Sequence, residues 1–210
     1  MSIRFSSVPR PRTRFGLTMH IRAIFFGDSW TIGSNAKPRE GGFAYLVANE
    51  LGWTAQVLGG GGSGYTRPGP RSGDYFSRLS EMRSDSDIEI VVMQGSINDT
   101  RRCYMLPTKA LRVLALARKK FPRARIVVMG PAPATPTVSL PLRFCDFVMA
   151  VAARMLRMPY VSPIRSGWIT ALNCSEIIDA EYHPSSAGHK YLASRLVPAL
   201  RGLAVQPVSH

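Results

Sequence analysis

Residues 21–33 read IRAIFFGDSWTIG, and this stretch decides the fold. Residues 21–26 are a short apolar run rich in β-branched and aromatic side chains, the pattern of a buried strand, and Gly27 ends it. Ser29 therefore stands just past a strand end, where its hydroxyl can face a ligand. Gly27 relieves crowding at that turn. The residues that follow can open a helix whose N-terminus favours a developing negative charge. Alone, the Gly-Asp-Ser triplet says little, because an N-cap serine is its ordinary explanation.

Working outward, strand and helix signals alternate. Residues 43–51 have helical periodicity and stop at Gly52. Residues 54–58 read as a second strand, 88–93 as a third and 125–129 as a fourth, with a short fifth at 160–163. Helices are expected over 106–121, stopped by Pro122, over 142–156 and over 186–200, the last capped by Ser185 or Ser186. Such repetition implies a parallel sheet covered on both faces, a three-layer α/β/α sandwich with a mostly parallel five-stranded sheet. Ligands in such folds bind beyond the carboxyl ends of the strands. The loops after strands one, two and three should therefore converge.

The bulk composition narrows the class. The chain has 210 residues, 45% of them apolar, enough for one domain with a real core. No apolar run is long enough to span a membrane. Residues 1–19 hold Arg4, Arg10, Arg12 and Arg14 but no apolar h-region. They read as a basic, disordered extension, or as sequence ahead of a true start at Met19, rather than a secretory signal; a cytoplasmic protein is expected. Residues 20–204 form the folded domain and 205–210 a tail. Net charge is +14, but the cations are scattered and no nucleic-acid motif accompanies them, so they read as a solvated surface. Cys103, Cys145 and Cys174 form no CxxC pair and suggest neither a disulfide framework nor a zinc site.

The converging loops carry the chemistry. The second, LGGGGSGYT (58–66), places four glycines in a row, which lets backbone N–H groups approach a ligand. It lacks the GxxxxGK[ST] phosphate pattern. The third, MQGSINDT (93–100), offers the Asn98 amide as a donor, although Asn-Asp is also common turn chemistry. Near the C-terminus, DAEYHPSSAGH (179–189) places His183 before a stiffening Pro184 and a helix. Serine, glycine loop, asparagine and histidine thus lie on four segments that the fold should gather.

Those four segments resemble the blocks of the SGNH hydrolases, also called GDSL lipases and esterases, over about residues 22–200. The resemblance implies a flavodoxin-like sandwich, a Ser29 nucleophile and a His183 general base. It implies an oxyanion hole of the Ser29 N–H, the Gly64 N–H and the Asn98 side chain. It also implies acyl transfer to water on small-molecule or carbohydrate ester substrates. Nothing in the sequence suggests a metal or organic cofactor. Two positions depart from the family. Ser96 stands where a glycine usually precedes the asparagine by two. Ala180 stands where D-x-x-H places the aspartate. Asp179, four before His183, is the expected third member if the loop holds one extra residue. Glu181 has reach but alternates to the other face of an extended segment. A Ser-His dyad with the ring held by a backbone carbonyl is the remaining arrangement. Trp30 and Tyr65 flank the expected site and could stack on a substrate, although core packing suits Trp30 better.

Two other classes compete. The Ala180 departure would suit a catalytically weak or inactive SGNH-fold binding module. The +14 charge would suit a protein of anionic polymers, with binding to DNA that weakens steeply with salt.

Overall fold

The computed structural model describes residues 21–204; the 1–19 extension and the 205–210 tail lie outside the described residues. Five strands, β1 (Arg22–Gly27), β2 (Thr54–Gly59), β3 (Ile90–Gln94), β4 (Arg125–Met129) and β5 (Tyr160–Val161), form one sheet in the order β2-β1-β3-β4-β5. All four pairings are parallel. Around them run α1 (Ser29–Ile32), α2 (Phe43–Leu51), α3 (Tyr75–Glu81), α4 (Leu106–Lys120), α5 (Leu140–Met155), α6 (Cys174–Ile177) and α7 (Ser186–Ala204). This is the expected three-layer α/β/α sandwich.

The strands show why both faces must be covered. Ala23, Phe25, Ile90, Val92, Val127 and Met129 point into one core, with α2, α6 and α7. Ile24, Phe26, Val91, Met93, Ile126 and Val128 point into the other, with α3, α4 and α5. Side chains alternate across a strand, so a run apolar at every position has no polar face to give to water. Register then sets the site. Gly27 lies opposite Gly59, and Phe26 opposite Met93, so the first three strands end at one level. Strand order reverses at β1, whose neighbours are β2 and β3. That reversal is where doubly wound sheets open a crevice.

Several boundaries differ from the sequence reading. α3, α6 and a 3₁₀ segment, Ile97–Met105, were not anticipated. α3 is seven residues long, too short for a clear periodic signal, and Asp74 caps it by accepting from Ser77 N at 2.9 Å. α5 begins at Leu140, two residues early, because Ser139 caps it and Pro141 is tolerated in the first turn. β3 begins at Ile90 rather than 88. Ser185, not Ser186, caps α7, its Oγ accepting from Gly188 N at 3.0 Å. Among the described residues no helix is long and apolar enough to cross a membrane.

A second histidine ties the site-bearing end together. His189, fully buried in α7, accepts from Phe43 N at its Nδ1 (3.2 Å) and donates from Nε2 to Ser34 O (2.9 Å). That pairing needs the neutral ring, and burial lowers its pKa below the usual histidine value. The unfolded chain then binds the extra proton, so this contribution is present above about pH 6.5 and fades as pH falls. His189→Ala should cost on the order of 1–3 kcal/mol at neutral pH by leaving a buried N–H and carbonyl unpaired. Urea unfolding of both proteins at neutral and mildly acidic pH should show that gap narrowing in acid. A gap that stays constant or widens would contradict it.

Candidate active site

Ser29 is the first residue of α1. The helix forms because Asp28 caps it, its Oδ1 accepting from Trp30 N at 2.9 Å. Gly27 is obligatory for packing: a Cβ there would lie 2.1 Å from Thr31 Oγ1 and 2.3 Å from Gln94 Oε1. Gln94, last residue of β3, uses that oxygen to accept from Asp28 N (3.3 Å) and from the Thr31 hydroxyl. Ser29 Oγ lies 3.0 Å from His183 Nε2, across 154 residues of chain. A hydroxyl this close to an imidazole nitrogen can hand over its proton as it attacks an electrophile.

The His183 loop is held through its backbone. His183 O accepts from Asp179 N at 2.8 Å, and the Trp30 indole N–H donates to Tyr182 O at 3.2 Å. Asp179 Oδ1 accepts from Glu181 N (2.8 Å) and from His183 N (3.0 Å). Its Oδ2 accepts from Asn35 Nδ2 at 2.5 Å, and the same amide donates to Glu181 Oε2 at 3.2 Å. Desolvation works against ionisation of Asp179, but these hydrogen bonds prevail and lower its pKa.

No hydrogen bond joins Asp179 to the imidazole in this structure. Its oxygens serve two backbone N–H groups and Asn35, and Glu181 also faces Asn35. Among the described residues, buried His183 Nδ1 has no hydrogen-bond partner, so no backbone carbonyl of these residues holds it either. Ala180, at the family's usual aspartate position, is exposed.

On the other side of Ser29, a buried polar chain positions Asn98. Ser96 Oγ lies 2.6 Å from Asp28 Oδ2 and 3.0 Å from Ser63 O. It has one proton, and the shorter, charge-assisted bond to the carboxylate takes it. Ser96 Oγ is then free to accept from Asn98 N (3.0 Å) and Asn98 Nδ2 (2.9 Å); Nδ2 also lies 3.0 Å from Ser63 O. Burial pushes the Asp28 carboxyl above the usual carboxylate range, against the hydrogen bonds from Ser96, Trp30 and Gln94. Ser96, standing in place of the family's usual glycine, thus links Asp28 to Asn98.

Gly64 sits against Asp99, where a Cβ would meet the carboxylate oxygen at 2.5 Å. Asp99, read from the sequence only as turn chemistry, binds the glycine loop to the 3₁₀ segment. It accepts from Tyr65 N (3.1 Å), Thr66 N (2.7 Å) and Thr66 Oγ1 (2.7 Å). Burial pushes its pKa up to about 6. The Gly64 N–H donates to Arg67 O at 2.8 Å. Trp30 and Tyr65 are 1% and 0% exposed, so Trp30 has the core role that its sequence context suggests and Tyr65 offers no face for stacking. Trp30 holds the histidine loop, and Tyr65 packs on Tyr75 with ring centroids 4.7 Å apart.

With this geometry in place, the comparisons with known proteins are specific. Residues 25–191 match the model of the GDSL-like lipase/acylhydrolase family. A GDSL lipase of Mycobacterium tuberculosis is 32% identical over 90% of this chain and 87% of its own. In fold, the chain is similar to an aryl esterase of M. smegmatis: TM-score 0.66, 16% identity, 88% of this chain and 100% of that one. A carbohydrate acetylesterase of Sinorhizobium meliloti gives TM-score 0.66 at 15% identity, over 87% of this chain and 99% of that one.

Ser96→Ala removes the link between Asp28 and Asn98 but no donor that would touch substrate. We expect kcat for a p-nitrophenyl ester to fall about tenfold with KM nearly unchanged, less than the roughly 10²–10³ for losing an oxyanion donor outright. Ser96→Thr, which keeps the hydroxyl, should recover part of the loss. A change confined to KM would instead make Ser96 a residue of ground-state binding.

Proposed function

The chain belongs to the GDSL-like lipase/acylhydrolase family, whose members are carboxylic ester hydrolases, and from that premise we propose that it hydrolyses small acyl esters through an acyl-Ser29 intermediate. The observation that carries this reading is the 3.0 Å contact between Ser29 Oγ and His183 Nε2. As Oγ bonds to the ester carbonyl carbon, Nε2 takes its proton and the carbonyl electron pair moves to oxygen. The tetrahedral intermediate then expels the alcohol, which leaves with the proton from His183. Water attacks the acyl carbon with His183 again as base, releasing the acid and Ser29.

The oxyanion would be met by the Ser29 N–H, the Asn98 amide and the Gly64 N–H. Two of these hold neutral acceptors within the protein, Ser63 O or Ser96 Oγ for Asn98 and Arg67 O for Gly64. Exchanging a neutral acceptor for an anionic oxygen strengthens the bond. That gain exists only once the charge has formed, so it favours the transition state over the bound ester.

We read the base as half of a Ser-His dyad, with Asp179 positioning its loop. The imidazolium would then lack a carboxylate at Nδ1, and the long-range charges of Asp28 and Asp179 would act on it instead. Small acyl groups on carbohydrate, acetyl above all, are the substrates to test first; the similar fold of a carbohydrate acetylesterase motivates that choice. A catalytically silent binding module is the second reading, favoured by the unpartnered Nδ1.

Ser29→Ala should reduce p-nitrophenyl acetate hydrolysis to background, and hydrolysis surviving in that variant would refute the nucleophile. Asp179→Asn separates dyad from triad. The amide oxygen can still accept from His183 N and Glu181 N, so kcat should fall by about tenfold or less. A carboxylate acting on the ring would cost ~10⁴ in kcat.

A further inference from the structure

Helix α5 exposes more apolar surface than a covered helix should. Leu140, Phe144, Phe147, Val151 and Met155 are 40–81% exposed. Their spacing places them on one face, a stripe about 22 Å long. The opposite face, with Leu142, Cys145, Met149 and Ala152, is buried in the core. A helix apolar on both sides is normally covered on both. Pro107 and Leu111 of α4 extend the stripe into an apolar groove of about 260 Å³. That is smaller than the ~300–1,000 Å³ of sites enclosing a small-molecule ligand.

The charge around the stripe is one-sided. α4 holds five cations and no carboxylate, and α5 holds Arg143 and Arg154. The only acid of either helix, Asp146, is buried and paired with Arg165 at 3.1 Å. Of the cations, Lys109 faces Asp74 at 3.6 Å, Lys120 donates to Ser80 O and Met82 O, Arg118 donates to Leu156 O, and Arg112 lies over the Phe76 ring; Arg143 and Arg154 flank the exposed stripe itself. At the Met155 end the stripe meets a cleft of about 1000 Å³ lined by Arg118, Arg125, Arg154 and Arg157. A second copy of the chain would bring the same cations against these. A nucleic acid would leave the phenylalanines unused. A layer with anionic groups above and hydrocarbon below matches both features.

We propose that the α4–α5 face docks the protein onto an anionic lipid surface, with the α5 stripe entering the edge of the hydrocarbon and the arginines level with the phosphates. The inference goes beyond the hydrolytic reading and does not depend on it. α5 starts at the carboxyl end of β4, and its neighbour, the 3₁₀ segment, carries Asn98. The docked face therefore adjoins the edge at which Ser29 opens.

Flotation of the full chain with phosphatidylglycerol–phosphatidylcholine vesicles, against pure phosphatidylcholine vesicles, tests this. The wild-type protein should float with the anionic vesicles only. Phe144→Ser with Phe147→Ser should weaken that binding by roughly tenfold or more, since each ring contributes buried apolar area. Arg143→Glu with Arg154→Glu should weaken it comparably. Thermal unfolding should be unchanged in both, because all four side chains are exposed. Binding that ignores the phenylalanines and vanishes with salt would reduce the effect to bulk charge and overturn the proposal. So would a failure to bind vesicles, whether the stripe then proves to join two copies in sedimentation or to await an acidic protein partner.

Discussion

The active edge depends on one buried carboxylate. Asp28 is 1% exposed and lies between the two halves of the site. On one side it caps α1 and so orients Ser29 at the end of the central strand. On the other it takes the Ser96 hydroxyl, which in turn accepts both nitrogens of Asn98. Burial of a charge is costly unless its oxygens are satisfied. Here the satisfaction comes from the elements that the chemistry needs at fixed distances. Losing any one of these contacts leaves Asp28 underbonded, so the arrangement is held together by the cost of disturbing it.

The histidine side is built differently. His183 is presented by backbone bonds around Asp179 and by the Trp30 indole, while its own Nδ1 finds no partner among the described residues. The loop fixes where the ring is without fixing its tautomer through a carboxylate. This divides two roles that an acid in the D-x-x-H position would combine. His189 adds a further restraint, linking α7 to the segment after Ser29 and to the start of α2.

Much of this was legible in the sequence because it follows from periodicity and local chain chemistry. Alternation of strand and helix implies the parallel sheet, and the carboxyl ends of β1 and β3 point to Ser29 and Asn98. What stayed hidden were relations between loops. Asp99 read as a turn residue, and only its contacts with Tyr65 and Thr66 reveal its part in holding the glycine loop. The link from Asp28 through Ser96 depends on which side-chain atoms of two converging loops face each other, which residue spacing does not encode. Asp179 was read by its distance from His183 along the chain, whereas its direction is set by a tight turn with Tyr182 at positive φ. The short helices α3 and α6 escaped notice because four to seven residues carry too few turns for a period to appear.

The central claim is that Ser29 is a nucleophile activated by its contact with His183. Reaction with a fluorophosphonate, followed by mass spectrometry of the intact protein and its peptides, tests it without knowledge of the ester. The account predicts a single phosphonyl adduct, on Ser29, formed far more slowly in His183→Ala and absent in Ser29→Ala. An adduct on another residue, or none on a folded protein, would contradict it.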